Sequence, residues 1–309
     1  MGERLRGLLG SKTFCKLAIV LCAFLWGTSF LVMKEVAASF SPAWVLAIRF
    51  SPVGLALLLV FRRRVMANLD ARTLVVSLGY GALTWAGYYF QTLGLVLTTP
   101  GKSAFLTGTY CVMVPFCARM MGARRPASHH VAGILLSFVG MGFVALDNGF
   151  PLNTGDVLTL AGALFYALAI AELARWGPEV DVMVVSAWEF LVVGVLSAVA
   201  ALLVEGPFDV ALLTPSALAS FAFLAIMCTA FALTLFNYAI TVVEPAQSSL
   251  LSALESPFGV ATSVLLGAEA LTLRLLAGFG FIAAGVLASE LGDARGGEPS
   301  RHDAVPEQR

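Results

Sequence analysis

The sequence predicts an all-α membrane protein in which ten transmembrane helices form two inverted five-helix repeats. Three observations lead to this fold class: ten long apolar stretches, a low content of charge, and a faint internal repeat. Hydrophobic residues make up 59% of the 309 positions and charged residues 12%, against roughly 25% charged in a typical soluble domain. The composition therefore indicates a protein surrounded by the lipid bilayer, and we expect no nucleic-acid partner.

Ten stretches are long and apolar enough to be spans. A helix needs about 20 residues to cross about 30 Å of hydrocarbon, and the shorter stretches reach that length when flanking polar side chains extend to the interfaces. Three stretches contain a single charge: Arg49, Glu189 or Glu255. In chain order, the predicted spans one to ten are 17–33, 43–61, 73–101, 103–118, 131–146, 157–171, 182–204, 210–243, 245–268 and 275–289.

The positive charges predict the orientation. If the amino terminus is cytoplasmic, the inner segments hold 15 of the 19 Lys and Arg residues, because Arg49 lies within a span and the outer segments hold only Lys34, Lys102 and Arg274. Short cytoplasmic loops carry the excess of Lys and Arg in membrane proteins. We therefore expect a multi-pass protein of the plasma (inner) membrane with both termini in the cytoplasm.

A faint repeat relates the two halves of the chain. Nearer the start of each half the best shift is close to 140 positions, which pairs Trp26 with Tyr166 and Arg49 with Glu189. Each repeat has five spans, an odd number, so the second repeat enters the membrane from the opposite side, as is typical of secondary transporters. Further along, a shift of 145 positions pairs Pro100 with Pro245, Gly122 with Gly267, Gly133 with Gly278, and Gly140 with Gly285.

The repeat sets the predicted domain boundaries. The first repeat covers 14–147 with spans one to five, and the second covers 154–291 with spans six to ten. The remaining segment, 292–309, is rich in Gly, Pro and charge, which predicts a disordered cytoplasmic tail.

The fourth and ninth spans carry polar side chains at equivalent positions. Because the spacings alternate between four and three residues, each set lies on one face of its helix. Such faces predict either the lining of a substrate cavity, which we favour, or close helix packing through small and hydroxyl side chains. The candidate substrate-binding residues are Ser103, Thr107 and Tyr110 in span four and Ser248, Ser252 and Glu255 in span nine.

Glu255 is the most informative of these residues. It lies near the middle of its span, where a charge costs roughly 2.5–3.5 kcal/mol on insertion scales. It must therefore face water, a partner or a substrate, or be protonated. Two interpretations remain open: Glu255 binds a substrate amine or carries a coupling proton, or it is a buried neutral acid bonded to a backbone group freed by Pro257.

Aromatic and amide side chains extend the candidate site. Trp85, Tyr88 and Tyr89 share span three, and Asn237 and Tyr238 lie in span eight. Rings with polar tips can stack on a substrate and orient it. The alternative is an interfacial aromatic belt, which suits Trp85 and Tyr88 less well because both fall near mid-helix.

Other features receive structural interpretations. Arg49 and Glu189 are expected to have separate structural roles rather than to pair, and Lys102 either meets a substrate carboxylate or extends to the outer interface. The glycine pairs seven residues apart in spans five and ten predict packing faces, within the monomer or in a homodimer.

At these residues the chain resembles the drug/metabolite transporter superfamily, in its ten-helix EamA-type branch. The resemblance covers about 14–291 and rests on Phe24 to Phe30, Ala47 to Phe50, Ser252 to Pro257, Gly267 to Glu269, Gly278 and Gly285. It implies a substrate chamber enclosed by helices 1, 3, 4, 6, 8 and 9, with Trp26, Tyr110, Asn237 and Glu255 nearby. Two departures stand out: Arg124 replaces the Glu that family repeats often carry, and Pro115 and Pro257 are not equivalent in the two halves.

The resulting functional prediction is a secondary transporter that moves a small metabolite by alternating access. Only the resemblance supports amino acids or related compounds and the export direction, and coupling to protons remains open. The alternative is a flippase for a lipid-linked substrate. An enzyme is disfavoured, no cofactor is expected, and no His, Cys or Asp cluster predicts a metal site, since the only histidines are His129, His130 and His302 in cytoplasmic segments.

Overall fold

A computed structural model describes residues 11–145, 153–266 and 271–296, and every regular element in these ranges is helical. The all-α class is therefore confirmed for the described part of the chain. In the first half the helices are α1 (Lys12–Ser39), α2 (Pro42–Val60), α3 (Arg62–Asn68), α4 (Ala71–Leu97), α5 (Pro100–Gly108), α6 (Tyr110–Met120) and α7 (Ser128–Ala145).

The second half has a similar series of helices, with two stretches of π-helix added. One π-helical segment, Ala201–Glu205, continues α9, and a longer one, Phe223–Phe231, joins α10 to α11. The helices are α8 (Thr154–Trp176), α9 (Val182–Ala200), α10 (Pro215–Ala222), α11 (Ala232–Ala239), α12 (Pro245–Ser252), α13 (Glu255–Leu265) and α14 (Leu273–Gly296).

Six helical segments of the described residues are long and apolar enough to cross a membrane, so this is a multi-pass membrane protein. They correspond to predicted spans one, two, six, seven, eight and ten. The third span is long enough but carries more polar residues, the fifth is shorter, and the fourth and ninth are each divided into two helices.

The helix starts follow local sequence rules. Proline, whose fixed φ suits the first turn, begins α2, α5, α10 and α12. At the start of α4 the Asp70 carboxylate accepts a hydrogen bond of 2.7 Å from the backbone N–H of Thr73, which holds the pKa of Asp70 below its usual value. At the start of α8, Asn153 and Asp156 form a reciprocal capping box.

Glycines set the closest helix contacts. A Cβ at Gly140 of α7 would lie 2.6 Å from the carbonyl oxygen of Gly278 in α14, and a Cβ at Gly133 would lie 2.6 Å from that of Gly285. In the same way Gly54 of α2 leaves no space against the backbone of Leu191 in α9. The glycine faces predicted for spans five and ten therefore pack against each other within the monomer.

The carboxyl-terminal helix is longer than the sequence predicted. The predicted tail begins at 292, whereas α14 continues to Gly296. Asp293 lies in this extension, where it accepts hydrogen bonds from Lys16 and Gln247. These contacts hold the last turns of α14 against the start of α1. Residues 297–309 of the predicted tail lie outside the described residues, as do 267–270, which include Gly267 to Glu269.

Candidate substrate-binding cavity

A central cavity lies between helices from both halves of the chain. The space between its walls is about 750 Å³ when the part open to solvent is included, and its lining comes from α1, α2, α4, α5, α6, α8, α11 and α13. Polar and aromatic residues dominate the lining: Trp26, Ser29, Arg49, Tyr80, Thr84, Tyr88, Gln91, Thr92, Thr107, Tyr110, Tyr166 and Glu255, with apolar residues between them.

Two buried charges of opposite sign contribute to the cavity wall. Arg49 is 2% exposed and Glu255 is 5% exposed. The Arg49 Nε donates a hydrogen bond of 2.7 Å to the Thr229 hydroxyl, and its guanidinium lies 4.9 Å from the centre of the Tyr88 ring. Nη1 of Arg49 lies 3.8 Å from the sulfur of Met33, and among the described residues Oε1 of Glu255 is buried without a partner. The Glu255 carboxylate therefore has an oxygen available to bind a ligand.

Three tyrosine rings connect the regions of the two charges. Tyr88, under the Arg49 guanidinium, meets Tyr166 edge-to-face with ring centres 5.2 Å apart. Tyr166 in turn lies 6.4 Å from the ring of Tyr110. In the repeat, Tyr110 is equivalent to Glu255, which is 145 positions later and also lines the cavity. The wall of the cavity thus runs from a cation, across aromatic faces, to an acid.

Breaks in the fourth and ninth spans position Tyr110 and Glu255. The backbone at Thr109 has ψ of −17°, and Ala253 and Leu254 each have ψ of −12°, values closer to a 3₁₀ turn than to an α-helix. The next helices, α6 and α13, then begin at Tyr110 and Glu255. Discontinuous helices of this kind build binding sites at mid-membrane in secondary transporters.

Pro257 contributes to the second break. It has no N–H to donate to the carbonyl of Ala253 four residues earlier. That carbonyl instead accepts a hydrogen bond of 3.2 Å from the backbone N–H of Ser256. The alternative prediction was that Glu255 bonds to a backbone group freed by Pro257. The carbonyl that Pro257 frees already accepts a hydrogen bond, so it does not need Glu255 as a partner.

Five of the twelve predicted site residues line the cavity. These are Trp26, Tyr88, Thr107, Tyr110 and Glu255. Thr107 accepts a hydrogen bond of 2.9 Å from Gln91 Nε2, and Trp26 donates one of 3.0 Å to the carbonyl of Cys228. Their part in binding a substrate stays a prediction.

The other aromatic candidates lie elsewhere. Trp85 and Tyr89 stack on each other with ring centres 5.4 Å apart, and neither lines the cavity. Tyr238 is 37% exposed on the outer surface. Asn237 is buried behind the cavity wall, where it accepts a hydrogen bond from the Tyr80 hydroxyl at 2.7 Å and donates to Glu189. Helical spacing alone had not distinguished these faces.

The serine candidates are buried and do not line the cavity. Ser252 donates to the carbonyl of Ser248 at 2.7 Å, and Ser248 donates to that of Val243 at 3.4 Å. Ser103 is likewise fully buried. For these three residues the structure favours the packing interpretation over cavity lining.

Several lining residues were missed by the sequence reasoning. Tyr166, whose hydroxyl donates to Gln91 at 2.9 Å, had a signal, because the repeat pairs it with Trp26. Arg49 had one as well, since charges within spans mark functional sites by default.

Arg49 and Glu189 do not bond each other, in agreement with their predicted separation. Lys102 pairs with the buried Asp156 at 2.5 Å.

Comparison with known proteins gives the family. Residues 13–146 and 153–290 each match the EamA-like transporter family. The chain belongs to the EamA-like transporter family. The two matched segments cover nearly the whole described chain, so the transporter assignment applies to the protein as a whole.

Relatives of this EamA-like transporter agree with the family but add no substrate. One transporter of Archaeoglobus fulgidus, described as uncharacterized, is 28% identical over 266 residues, which are 84% of this chain and 80% of the relative. A second uncharacterized transporter of the same organism is 26% identical over 245 residues, 75% and 81% of the two chains. A crystal structure with a TM-score of 0.77 covers 93% of this chain and 100% of its own at 19% identity, which supports the fold alone.

Proposed function

We propose that this EamA-like protein is a secondary transporter that exports a small zwitterionic metabolite, an amino acid or a related compound, across the plasma (inner) membrane. The observation that carries the proposal is the central cavity, with Arg49 and the unpartnered Glu255 oxygen in its wall. A zwitterion presents one carboxylate and one ammonium group, which match a guanidinium and a carboxylate.

The aromatic wall supports a substrate with an apolar or planar part. Tyr88, Tyr166 and Tyr110 offer ring faces between the two charged groups. Buried ring faces add favourable contacts to an apolar side chain, while their hydroxyls hydrogen-bond to polar groups. The export direction rests on the family resemblance.

Ten spans in two inverted repeats are part of the same proposal. The contacts between equivalent helices support it. Gly133 meets Gly285 and Gly140 meets Gly278, so α7 and α14 cross antiparallel. The shift of 145 positions relates Gly133 to Gly278 and Gly140 to Gly285, so each contact is the equivalent of the other. Equivalent helices that meet antiparallel are expected when the axis relating the halves lies in the membrane plane.

Other pairs of equivalent helices also have equivalent contacts. In the repeat, α1 corresponds to α8, α4 to α11 and α6 to α13. Accordingly, α4 and α6 of the first half pack along α8 of the second, and α11 and α13 of the second half pack along α1 of the first. Rocking of one half against the other would then open the cavity to each side in turn. The excess of Lys and Arg in the predicted inner loops supports cytoplasmic termini.

Glu255 is also the residue that we propose to take up a coupling proton. Its carboxyl lies in the cavity wall, where a substrate ammonium and a proton would compete for it. Substrate release to one side and proton binding from the other would give antiport.

Counterflow into liposomes tests the function. The purified protein is reconstituted with an unlabelled candidate zwitterion inside and a trace of the labelled compound outside, after thermal-shift screening of amino acids has selected the candidate, because a ligand stabilises the state that binds it. We expect accumulation of label, and a decrease of about 10–100-fold in the Glu255→Gln variant. Absence of counterflow for every stabilising zwitterion contradicts the proposal, and movement of a lipid-linked compound instead would support the flippase alternative.

A further inference from the structure

A second cluster of chemically capable side chains lies far from the cavity, where α7 begins and α14 ends. His129 and His130 are in the first turn of α7, and Asp293 is in the last turns of α14. One ring nitrogen of each histidine and one carboxylate oxygen of Asp293 lie within 4.8 Å of one another. Because 164 positions separate His129 from Asp293, sequence reasoning did not find this cluster and predicted no metal site.

The distances within the cluster fit a bound transition-metal ion. The Oδ1 atom of Asp293 lies 2.9 Å from Nε2 of His129 and 3.3 Å from Nε2 of His130. Two ligand atoms bonded at about 2.0–2.1 Å to a tetrahedral zinc ion are about 3.4 Å apart. Two of the three donor–donor distances are therefore already near the separation that zinc requires, and the third is within 4.8 Å.

Ser289 orients one of the histidine rings. Nδ1 of His130 lies 2.7 Å from the Ser289 hydroxyl, and both residues are buried. When Nδ1 carries the hydrogen and donates it to Ser289, the lone pair of Nε2 faces Asp293. Metal-binding histidines usually have their second nitrogen fixed in this way.

The groups in direct contact with the cluster favour a divalent cation. Among the described residues these include three carboxylates: Asp293, Glu290 and Glu244, whose Oε2 lies 3.4 Å from Nε2 of His130. The Lys16 ammonium contacts two of them, at 2.9 Å from Glu290 and 3.1 Å from Oδ2 of Asp293. With both imidazoles neutral, these four contacting groups carry a net charge of −2; the wider wall of the groove also holds Lys12, Arg124, Arg125, Arg175 and Glu179.

The remaining contacts leave the metal-facing atoms available. Lys16 and Gln247 both bind Oδ2 of Asp293, which orients the carboxylate with Oδ1 toward the histidines. His129, His130, Glu244 and Asp293 are among the residues that line a groove of about 2540 Å³, a volume that includes its part open to solvent, so a hydrated ion can reach the site.

We propose that His129, His130 and Asp293 form a binding site for a divalent transition-metal ion, with zinc the best match. Imidazole nitrogens and carboxylate oxygens are preferred ligands of zinc, and Glu244 is available as a fourth ligand. The bound ion joins α7 of the first half to α14 of the second. This inference does not depend on the substrate of the central cavity.

Zinc titration of the full-length protein tests the site. The protein is purified in detergent without a polyhistidine tag, stripped with a chelator and titrated by calorimetry. We expect one zinc ion per chain and a higher melting temperature with zinc. His129→Ala and His130→Ala should each weaken binding more than about tenfold, since even an outer contact such as that of Ser289 is worth about 10–100-fold in metal affinity.

Matched controls separate this site from adventitious binding. His302→Ala removes the third histidine of the chain and should bind zinc like the parent protein. Cobalt(II) bound to the parent should give visible absorption bands of four-coordinate geometry that zinc abolishes, a readout that needs no variant to fold. Absence of saturable zinc binding, equal affinity in the His130→Ala variant, or six-coordinate cobalt spectra would each overturn the proposal.

Discussion

The two halves of the chain use similar backbones to present different chemistry. Tyr110 begins α6 in the first half, and Glu255 begins α13 in the second half, 145 positions later. Arg49 in α2 faces the cavity, whereas its equivalent in α9, Glu189, is buried behind the wall and accepts a hydrogen bond from Asn237. Each half therefore supplies one charged group to the cavity, and the two groups have opposite signs.

This difference suggests why a repeated fold can handle an asymmetric ligand. Helix breaks and glycine contacts recur in both halves because they belong to the backbone. The side chains at the breaks do not recur, so a ligand with two unlike ends would bind in one orientation. The following experiments compare equivalent residues, beginning with the pair whose responses should differ most.

The largest difference is expected between Glu255→Gln and Tyr110→Phe. Bonds to charged groups are worth about 1.5–3 kcal/mol and bonds between neutral groups about 1 kcal/mol. We therefore predict that Glu255→Gln lowers counterflow by about 10–100-fold and removes its pH dependence, whereas Tyr110→Phe lowers counterflow by about fivefold or less. Rates in liposomes from about pH 6 to about pH 8, roughly one unit either side of neutrality, provide the measurement. Equal losses, or unchanged pH dependence in Glu255→Gln, would contradict the assignment.

Arg49→Gln and Glu189→Gln compare the other equivalent pair. Arg49→Gln removes a charge from the cavity wall, so the apparent affinity for the zwitterion should fall by about tenfold or more. Glu189→Gln keeps an oxygen that can accept the hydrogen bond from Asn237, so affinity should change by less than about threefold. Ligand-dependent melting temperatures give both affinities. A larger loss of affinity in Glu189→Gln than in Arg49→Gln would contradict binding of the ligand in the cavity that Arg49 lines.

A smaller effect is expected at the glycine contacts. Gly140→Ala and Gly285→Ala place a methyl group against the backbone of the facing helix, and overpacking of this kind costs about 1–3 kcal/mol. Gly280 has open space around it, so Gly280→Ala should be neutral or stabilise the helix by up to about 1 kcal/mol. Thermal unfolding in detergent compares the three variants. Equal melting temperatures for Gly140→Ala and Gly280→Ala would show that the α7–α14 contact is not close-packed.

Much of the helical organisation follows from the sequence. Apolar stretches predicted the six segments of the described residues that are long and apolar enough to cross a membrane, because lipid excludes charge, and the paired glycines predicted the α7–α14 contact. Glu255 was recognised because a lone acid in an apolar span needs a partner or water. In contrast, the breaks at Thr109 and at Ala253 and Leu254 depend on local ψ values, which hydrophobic periodicity does not contain.

The composition of the site was less accessible to sequence reasoning. Which face of α4 meets the cavity depends on the contacts of α4 with neighbouring helices. These contacts determine that Tyr88 lines the wall and that Trp85 and Tyr89 do not. Arg49 lines the cavity, and the side that α2 presents to it depends on packing that hydrophobic periodicity does not contain, such as the contact of Gly54 with α9. The His129, His130 and Asp293 cluster forms only when α7 and α14 come together.

The central claim, that the two halves are inverted around one cavity, is tested most directly by the sidedness of equivalent loops. Asn68 and Asp209 are exposed and occupy nearly equivalent positions in the two halves. Single-cysteine variants Asn68→Cys and Asp209→Cys, in a background where the five native cysteines are replaced by alanine, are treated with a membrane-impermeant maleimide on intact cells. Inverted halves predict labelling of Asp209→Cys from outside and of Asn68→Cys only after permeabilisation; labelling of both variants from the same side would contradict the account.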